Sequence, residues 1–112
     1  MIARSWRGIA AHDKAADYQH HFRSAVVPHL RQIAGFLGAC LLRREAGGKM
    51  EFTAITFWES IEAIKAFAGA DPAVAIVEPE ARAVLSSFDE QARHDEVAFM
   101  QPMLEATKAS ES

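Results

Sequence analysis

The stretch that decides the fold is Thr56-Phe57-Trp58-Glu59-Ser60, in which strand-forming residues run into a helix-capping serine. Thr, Phe and Trp favour β-strands, and a serine side chain accepts a hydrogen bond from the first turn of a helix. A short apolar helical face and a glycine stop follow at Ile61, Ile64, Phe67 and Gly69. The sequence therefore predicts a strand that ends at this block and a short helix that begins at Ser60.

Upstream of this block, two strand-like segments flank a glycine pair. Phe36 to Glu45 and Met50 to Glu59 are rich in strand formers, and Ala46-Gly47-Gly48-Lys49 separates them. Glycine adopts the positive φ angles that a tight hairpin turn requires. The sequence therefore predicts a β-hairpin.

The N-terminal third predicts a strand and then a helix. Ile2 to Ala10 alternates loosely, and Arg4 and Arg7 place this strand near a sheet edge or a cleft. Asp13 offers a helix N-cap, and Pro28 should kink or restart the helix because it lacks a backbone donor. The apolar stripe of this helix comprises Tyr18, Phe22, Ala25, Val26, Leu30 and Ile33, and Gly35 ends it.

The last third predicts two short helical pieces across Pro72 to Ser86, because two prolines there follow acidic residues and suit first helical positions. A final strand is expected over Phe88 to Met100. The whole pattern is βαββαβ, an α+β domain over residues 1–101 with a polar tail over 102–112.

Composition limits the functions open to the chain. Its 112 residues fit one domain, and a net charge of -3 offers no basic surface for nucleic acid. No apolar run reaches the ~20 residues that a membrane helix needs. The single cysteine, Cys40, rules out an internal disulfide, and this favours a cytoplasmic location. Cys40 is expected to be a small core residue.

Both faces of the predicted hairpin are apolar. Phe52, Ala54 and Trp58 point one way, while Ile55 and Phe57 point the other. Helices cover one face of such a sheet, so the second face needs another cover. A second copy of the chain is the simplest one, and the sequence predicts a homodimer.

Four sequence blocks resemble the antibiotic biosynthesis monooxygenase family: Met1-Ile2-Ala3-Arg4, Ile33-Ala34-Gly35-Phe36, Phe57 to Ser60 with Ala66-Phe67-Ala68-Gly69, and His94-Asp95-Glu96-Val97. The resemblance covers roughly residues 1–100 and implies a ferredoxin-like domain, a dimeric α/β barrel and a ligand cavity between sheet and helices. It also implies cofactor-independent oxidation of a small hydroxyaromatic or similar apolar molecule. A non-catalytic small-molecule-binding or regulatory homodimer is the alternative.

The same resemblance disfavours haem degradation. Haem-degrading relatives carry an asparagine, a tryptophan and an axial histidine at positions that here hold Trp6, Phe67 and Val77. We therefore expect no cofactor and no metal site. His20 and His21 point about 100° apart on a helix, which is poor for joint metal ligation, so a solvated helix face is expected for them.

Two residues are candidates for catalysis. Trp58 could form a cavity wall and donate its N–H to a substrate oxygen, and plain core packing is the alternative. His94, in the last predicted strand, could remove a phenolic proton or hold an oxyanion, and a structural role is its alternative. Candidates for substrate binding are Trp6, Phe22, Phe67 and Arg82.

Overall fold

Five antiparallel strands form one sheet in the computed structural model, which describes residues 1–107. The strand order is β2-β3-β1, and β4 and β5 pair with different parts of β1 along the edge that faces away from β3. This arrangement confirms the ferredoxin-like α+β fold. The elements are β1 (Ile2–Ala11), α1 (His12–His21), a π-helical turn (Phe22–Val26), α2 (Val27–Leu30), β2 (Phe36–Ala46), β3 (Lys49–Trp58), α3 (Ile61–Ala68), α4 (Pro79–Val84), β4 (Ser87–Phe88) and β5 (Arg93–Glu96).

The predicted hairpin is confirmed. Strands β2 and β3 pair down to Ala46 and Lys49, and the two residues between them, Gly47 and Gly48, have φ angles of 57° and 77°. Positive φ at both central residues matches the twist of the flanking strands. The turn chemistry of the glycine pair thus sets the register of the hairpin.

The strand-to-helix block also behaves as predicted. Ser60 is extended, and its Oγ accepts a hydrogen bond from the Ala63 N–H at 3.2 Å. Helix α3 ends at Gly69, whose φ of 91° suits glycine. Local capping therefore determines both ends of this helix.

The first helical region differs from the prediction at both ends. Ala11 occupies the N-cap without a side-chain hydrogen bond, and Asp13 lies inside the first turn, so the predicted Asp13 cap is wrong. The regular helix ends at Leu30 and not at Gly35. Its irregularity is the π-helical turn before Pro28, and this wider turn gives the proline ring room where a regular helix would clash.

Between residues 72 and 107 the chain forms one helix where two were predicted, and the final strand is split. Residues 72–78 form no helix, and only α4 is present. Between β4 and β5 the chain leaves β1 and pairs with residues 73–75, through Ala75 N–H to Glu90 O at 3.0 Å and Ala92 N–H to Ala73 O at 2.8 Å. Because the chain pairs with residues 73–75 at this point, the final strand is interrupted. The prediction of one continuous strand over Phe88 to Met100 is therefore wrong.

Residues 102–107 of the predicted tail are exposed and contain no helix or strand, and its remaining residues lie outside the described part of the chain. Within residues 1–107, no helix is long and apolar enough to cross a membrane.

The two faces of the sheet differ in cover. On the face covered by helices, Phe52, Ala54, Thr56 and Trp58 are all buried, which confirms the predicted orientation. The uncovered face of the single chain includes Leu42, which is 52% exposed, and Cys40, which is also exposed. The prediction of Cys40 as a core residue is wrong for the single chain, because no helix of residues 1–107 packs on that face.

Candidate functional site

A cavity of about 70 Å³ separates the two halves of the core. One half surrounds Phe52 and the other surrounds Trp58. Between these large side chains, β3 contributes only Ala54 and Thr56, and both line the cavity. Small residues between large ones leave the space open. Further lining comes from β1, the helices α1 to α4, the π-helical turn and the segment before α4: Arg4, Trp6, Tyr18, His21, Phe22, Val26, Leu30, Phe67, Ala75, Ile76, Val77, Glu78 and Ala81.

Arg4 is the charged group of β1 in this cavity and is only 5% exposed. Its Nη1 donates to the Pro72 carbonyl oxygen and contacts His94 Nε2 at 3.0 Å, and its Nη2 donates to the Val74 carbonyl oxygen at 3.1 Å. The guanidinium also lies 5.6 Å from the centre of the Phe67 ring. These contacts hold the cation at the cavity wall.

Arg4 forms no ion pair with any carboxylate of residues 1–107. Among residues 1–107, no acidic oxygen lies within 4.0 Å of the Arg4 guanidinium. Burial lowers the Arg4 pKa to about 10, so the group still carries its charge at neutral pH. A buried, unpaired positive charge favours an anionic occupant of the cavity.

Helix α1 adds two polar groups, Tyr18 and His21, which are three residues apart and face the cavity with Phe22. His21 Nε2 is buried without a hydrogen-bond partner, and it is the one such side-chain atom in the described residues. Burial also raises the pKa of Tyr18, so its hydroxyl stays protonated. Buried polar atoms are normally satisfied, which makes the free His21 nitrogen a marker for a ligand.

Three of the residues predicted to bind substrate, Trp6, Phe22 and Phe67, lie together in the cavity wall. Trp6 donates its Nε1–H to the Asp89 carbonyl oxygen at 2.7 Å, which orients the indole ring. Val77 lines the same cavity. The residues at the positions used by haem-degrading relatives therefore do share one site, although none of them offers a metal ligand.

The other three predicted site residues lie outside the cavity lining. Trp58 is fully buried and donates its Nε1–H to Thr56 Oγ1 at 2.8 Å. Arg82 is exposed and donates to the Val77 carbonyl oxygen at 3.0 Å. His94 lies behind Arg4 and contacts its guanidinium.

The contact with Arg4 defines the state of His94. A guanidinium only donates, so His94 Nε2 accepts and its ring proton lies on Nδ1. Burial and the nearby Arg4 charge lower the His94 pKa, with Asp95 opposing them. His94 is therefore neutral near pH 7, with the lone pair of Nε2 directed to Arg4.

Two polar residues of the cavity, Tyr18 and His21, were not predicted from the sequence. Tyr18 was part of the apolar helical stripe, and His21 was expected on a solvated helix face. The available signal was spacing, since His21 stands three residues after Tyr18 and next to Phe22. The sequence predicts that Arg4 lies near a sheet edge or a cleft. Because β1 is an inner strand of the sheet, the prediction of a cleft is correct and the prediction of an edge is wrong.

The model of one protein family, the antibiotic biosynthesis monooxygenases, matches residues 8–79, which is more than half of the chain. The chain belongs to the antibiotic biosynthesis monooxygenase family. This assignment confirms the resemblance seen in the sequence. No curated protein is significantly similar to the chain.

Solved structures of similar fold cover nearly the whole of this family member. A Bacillus cereus protein provisionally assigned as an antibiotic biosynthesis monooxygenase is 15% identical, with a TM-score of 0.63 and coverage of 91% of this chain and 97% of that one. A variant of MhuD with two manganese protoporphyrin IX molecules per active site is 23% identical, with a TM-score of 0.62 and coverage of 92% and 100%. SnoaB, a cofactor-independent oxygenase from Streptomyces nogalater, is 17% identical, with a TM-score of 0.54 and coverage of 93% and 98%. At these identities the similarity establishes the fold.

Proposed function

We propose that this protein is a cofactor-independent monooxygenase that oxidises a small hydroxyaromatic molecule in the cavity between sheet and helices. The observation that carries the proposal is the cavity itself, where aromatic side chains surround the unpaired Arg4 cation in a member of a monooxygenase family. SnoaB, of the same fold, is a cofactor-independent oxygenase. Apolar walls with a few placed polar groups are typical of small-molecule sites.

In the proposed reaction the substrate supplies the electrons. A phenol with a free ring position reacts with one O₂, so that one oxygen atom becomes a second carbonyl of a quinone and the other leaves as water. The phenolate form gives up an electron to O₂ more readily than the phenol. Trp6 and Phe67 would orient the ring, and the buried guanidinium of Arg4 would stabilise the phenolate.

Oxygen uptake tests the proposal. Wild-type protein is mixed with a panel of hydroquinones, phenols and naphthols, and O₂ consumption and quinone absorbance are followed after metal chelation. We expect stoichiometric quinone formation and at least a tenfold loss of kcat/KM in Trp6→Ala, because the cavity wall is removed. Absence of protein-dependent uptake with every member of the panel would exclude this function.

The same assay tests the two catalytic candidates from the sequence, which stay predictions. His94→Ala and Trp58→Phe are compared with wild type at a temperature where all three are folded. Equal rates in the three proteins would remove His94 and Trp58 from the mechanism.

One observation favours the alternative of a small-molecule-binding or regulatory protein. The cavity, at about 70 Å³, is smaller than common ligand pockets, so a ring would have to displace wall side chains such as Phe22 and Phe67. In that case hydroxyaromatic molecules would raise the melting temperature without any oxygen uptake. The pair of measurements separates binding from catalysis.

We also propose that the protein is a homodimer formed through the uncovered face of the sheet. That face carries Leu42, which is exposed, and Ile55 and Phe57, which are partly exposed in the single chain. Exposed apolar faces of this kind favour protein interfaces. The cytoplasmic location expected from the sequence is part of the same proposal.

Light scattering tests the dimer. We expect a mass of twice 12.3 kDa for the wild type at micromolar concentration and a monomer for Phe57→Glu, because a buried, unpaired carboxylate is unfavourable in an apolar interface. Lys14→Glu, an exposed charge change on the helical side, is the matched control and should stay dimeric. A wild-type mass near 12.3 kDa would contradict the proposal.

A further inference from the structure

We propose that the cavity binds its hydroxyaromatic substrate as an oxyanion held by Arg4, and that His21 is the group that accepts the proton. This inference deepens the proposed function and takes its substrate class from it. It assigns the base to helix α1 and not to the last strand.

Arg4 has more N–H donors than its protein partners use. A guanidinium has five N–H groups. Three of them point to the Pro72 oxygen, the Val74 oxygen and His94 Nε2. The Nε–H and one Nη2–H have no protein partner in residues 1–107, so the charged group retains two donors for an anion.

His21 has a ring nitrogen without a hydrogen-bond partner in residues 1–107. Nε2 is buried and unpartnered, and the residue lines the same cavity as Arg4. Leaving a buried polar atom unpaired is unfavourable, and a substrate hydroxyl would satisfy it. The two groups reach the cavity from different elements, Arg4 from strand β1 and His21 from helix α1.

His94 already has a hydrogen-bond partner for its basic nitrogen. Its Nε2 lone pair accepts from Arg4, and the residue does not line the cavity. His94 is therefore a positioning residue that acts through the guanidinium. The remaining ionisable groups of the wall are Tyr18, which burial keeps neutral, and the carboxylate of Glu78.

The proton step follows from these positions. The substrate O–H bond breaks, a new N–H bond forms at His21 Nε2, and the electron pair stays on the substrate oxygen next to Arg4. No oxidant takes part in this step, so binding and ionisation can be measured separately from oxygenation. The resulting imidazolium would remain close to the bound oxyanion.

Anion binding is tested with 4-nitrophenol, whose ionised form absorbs visible light, and with 4-nitroanisole, which has no proton to lose. In full-length protein we expect the bound phenol to ionise at lower pH than the free phenol, and nitrophenolate to bind at least tenfold more tightly than 4-nitroanisole. Arg4→Gln should abolish that preference. Arg23→Gln, which removes an exposed arginine, should keep it.

The role of His21 is tested by kcat against pH with a phenol that the protein oxidises. His21→Asn should lower kcat at least 100-fold below the substrate's own pKa, and the loss should vanish as pH rises and the substrate ionises in solution. A merely structural role would lower kcat equally at all pH values. His20→Asn, on the neighbouring exposed position, should behave like wild type.

The outcomes are distinct. Equal binding of nitrophenolate and 4-nitroanisole by wild type, or a folded Arg4→Gln that keeps the preference, overturns the anion site. If Arg4→Gln does not fold, Arg4→Lys decides, because it keeps the charge but loses the paired donors and should bind nitrophenolate several-fold more weakly. Unchanged kcat in His21→Asn overturns the base. Nitrophenolate binding without any oxygen uptake would instead overturn the proposed function and leave the anion site standing.

Discussion

Replacing Trp58 by Phe should lower stability strongly. The indole ring is fully buried, packs edge-on against Phe36 and stacks on Phe67. The distances between ring centroids are 5.3 Å for Phe36 and 6.1 Å for Phe67. Phenylalanine is smaller by about 40 Å³, which costs ~1 kcal/mol for the cavity and ~1 kcal/mol for the lost apolar burial. Loss of the hydrogen bond from the indole N–H to Thr56 Oγ1 adds ~1 kcal/mol.

The expected total is therefore ~3 kcal/mol, or a fall of roughly 10 °C or more in melting temperature. Urea unfolding and thermal melting measure it, at one protein concentration because association would itself raise stability. Trp6→Phe is the matched control. Trp6 is only partly buried, so this variant should lose less than half as much free energy of unfolding.

A double-mutant cycle isolates the hydrogen bond. Thr56→Val alone leaves a buried indole N–H unpaired and should cost ~1–3 kcal/mol, whereas in the Trp58→Phe background it should cost much less. The coupling energy should be ~1 kcal/mol. Strict additivity of the two substitutions would refute the hydrogen bond between Trp58 and Thr56. A Trp58→Phe cost no larger than that of Trp6→Phe would refute the assignment of Trp58 to the core.

Two further stability measurements follow from the structure. His94 has a pKa below its ordinary value of 6.5, so the unfolded chain binds more protons and stability should fall as pH decreases below about 6.5. Urea unfolding at several pH values should show that the free energy of unfolding changes with a slope well under ~1.4 kcal/mol per pH unit, because His94 is partly exposed. His94→Gln keeps an acceptor for Arg4 and should flatten this slope. An unchanged slope in the variant would contradict the assignment of the pH dependence to His94. Gly35→Ala should cost roughly 2–4 kcal/mol in thermal unfolding, since φ is +91° and the new Cβ would lie 2.5 Å from Ala63 Cβ. Gly47→Ala, at an open hairpin tip with φ of +57°, should lower the free energy of unfolding by only ~1 kcal/mol. Equal losses at the two glycines would show that the contact with Ala63 is relieved without strain.

Features with short-range causes were predicted correctly from the sequence. The hairpin depends on Gly47 and Gly48, whose positive φ angles are a property of glycine itself. The start of α3 depends on Ser60, which caps a neighbour three residues away. Strand alternation likewise placed Trp58 on the covered face, because side chains in a strand alternate between faces whatever the surroundings.

Features with long-range causes were predicted incorrectly or missed. The break in the last strand comes from pairing with residues 73–75, which no local pattern near Asp89 reveals. Cys40 is apolar enough for a core but lies on a face that no helix covers. Asp13 is a good cap by residue type, yet β1 continues to Ala11 and the helix begins before Asp13 can cap it.

The sequence by itself determined the order of elements from β1 to α3, the hairpin, the capped helix and membership of the family, because these follow from residue types a few positions apart. Only the tertiary structure decided which polar groups share the cavity. Arg4 and His21 are 17 positions apart on different elements, and neither is unusual in its local context. Their significance comes from burial without a full set of partners, and burial is a property of the packed sheet and helix together.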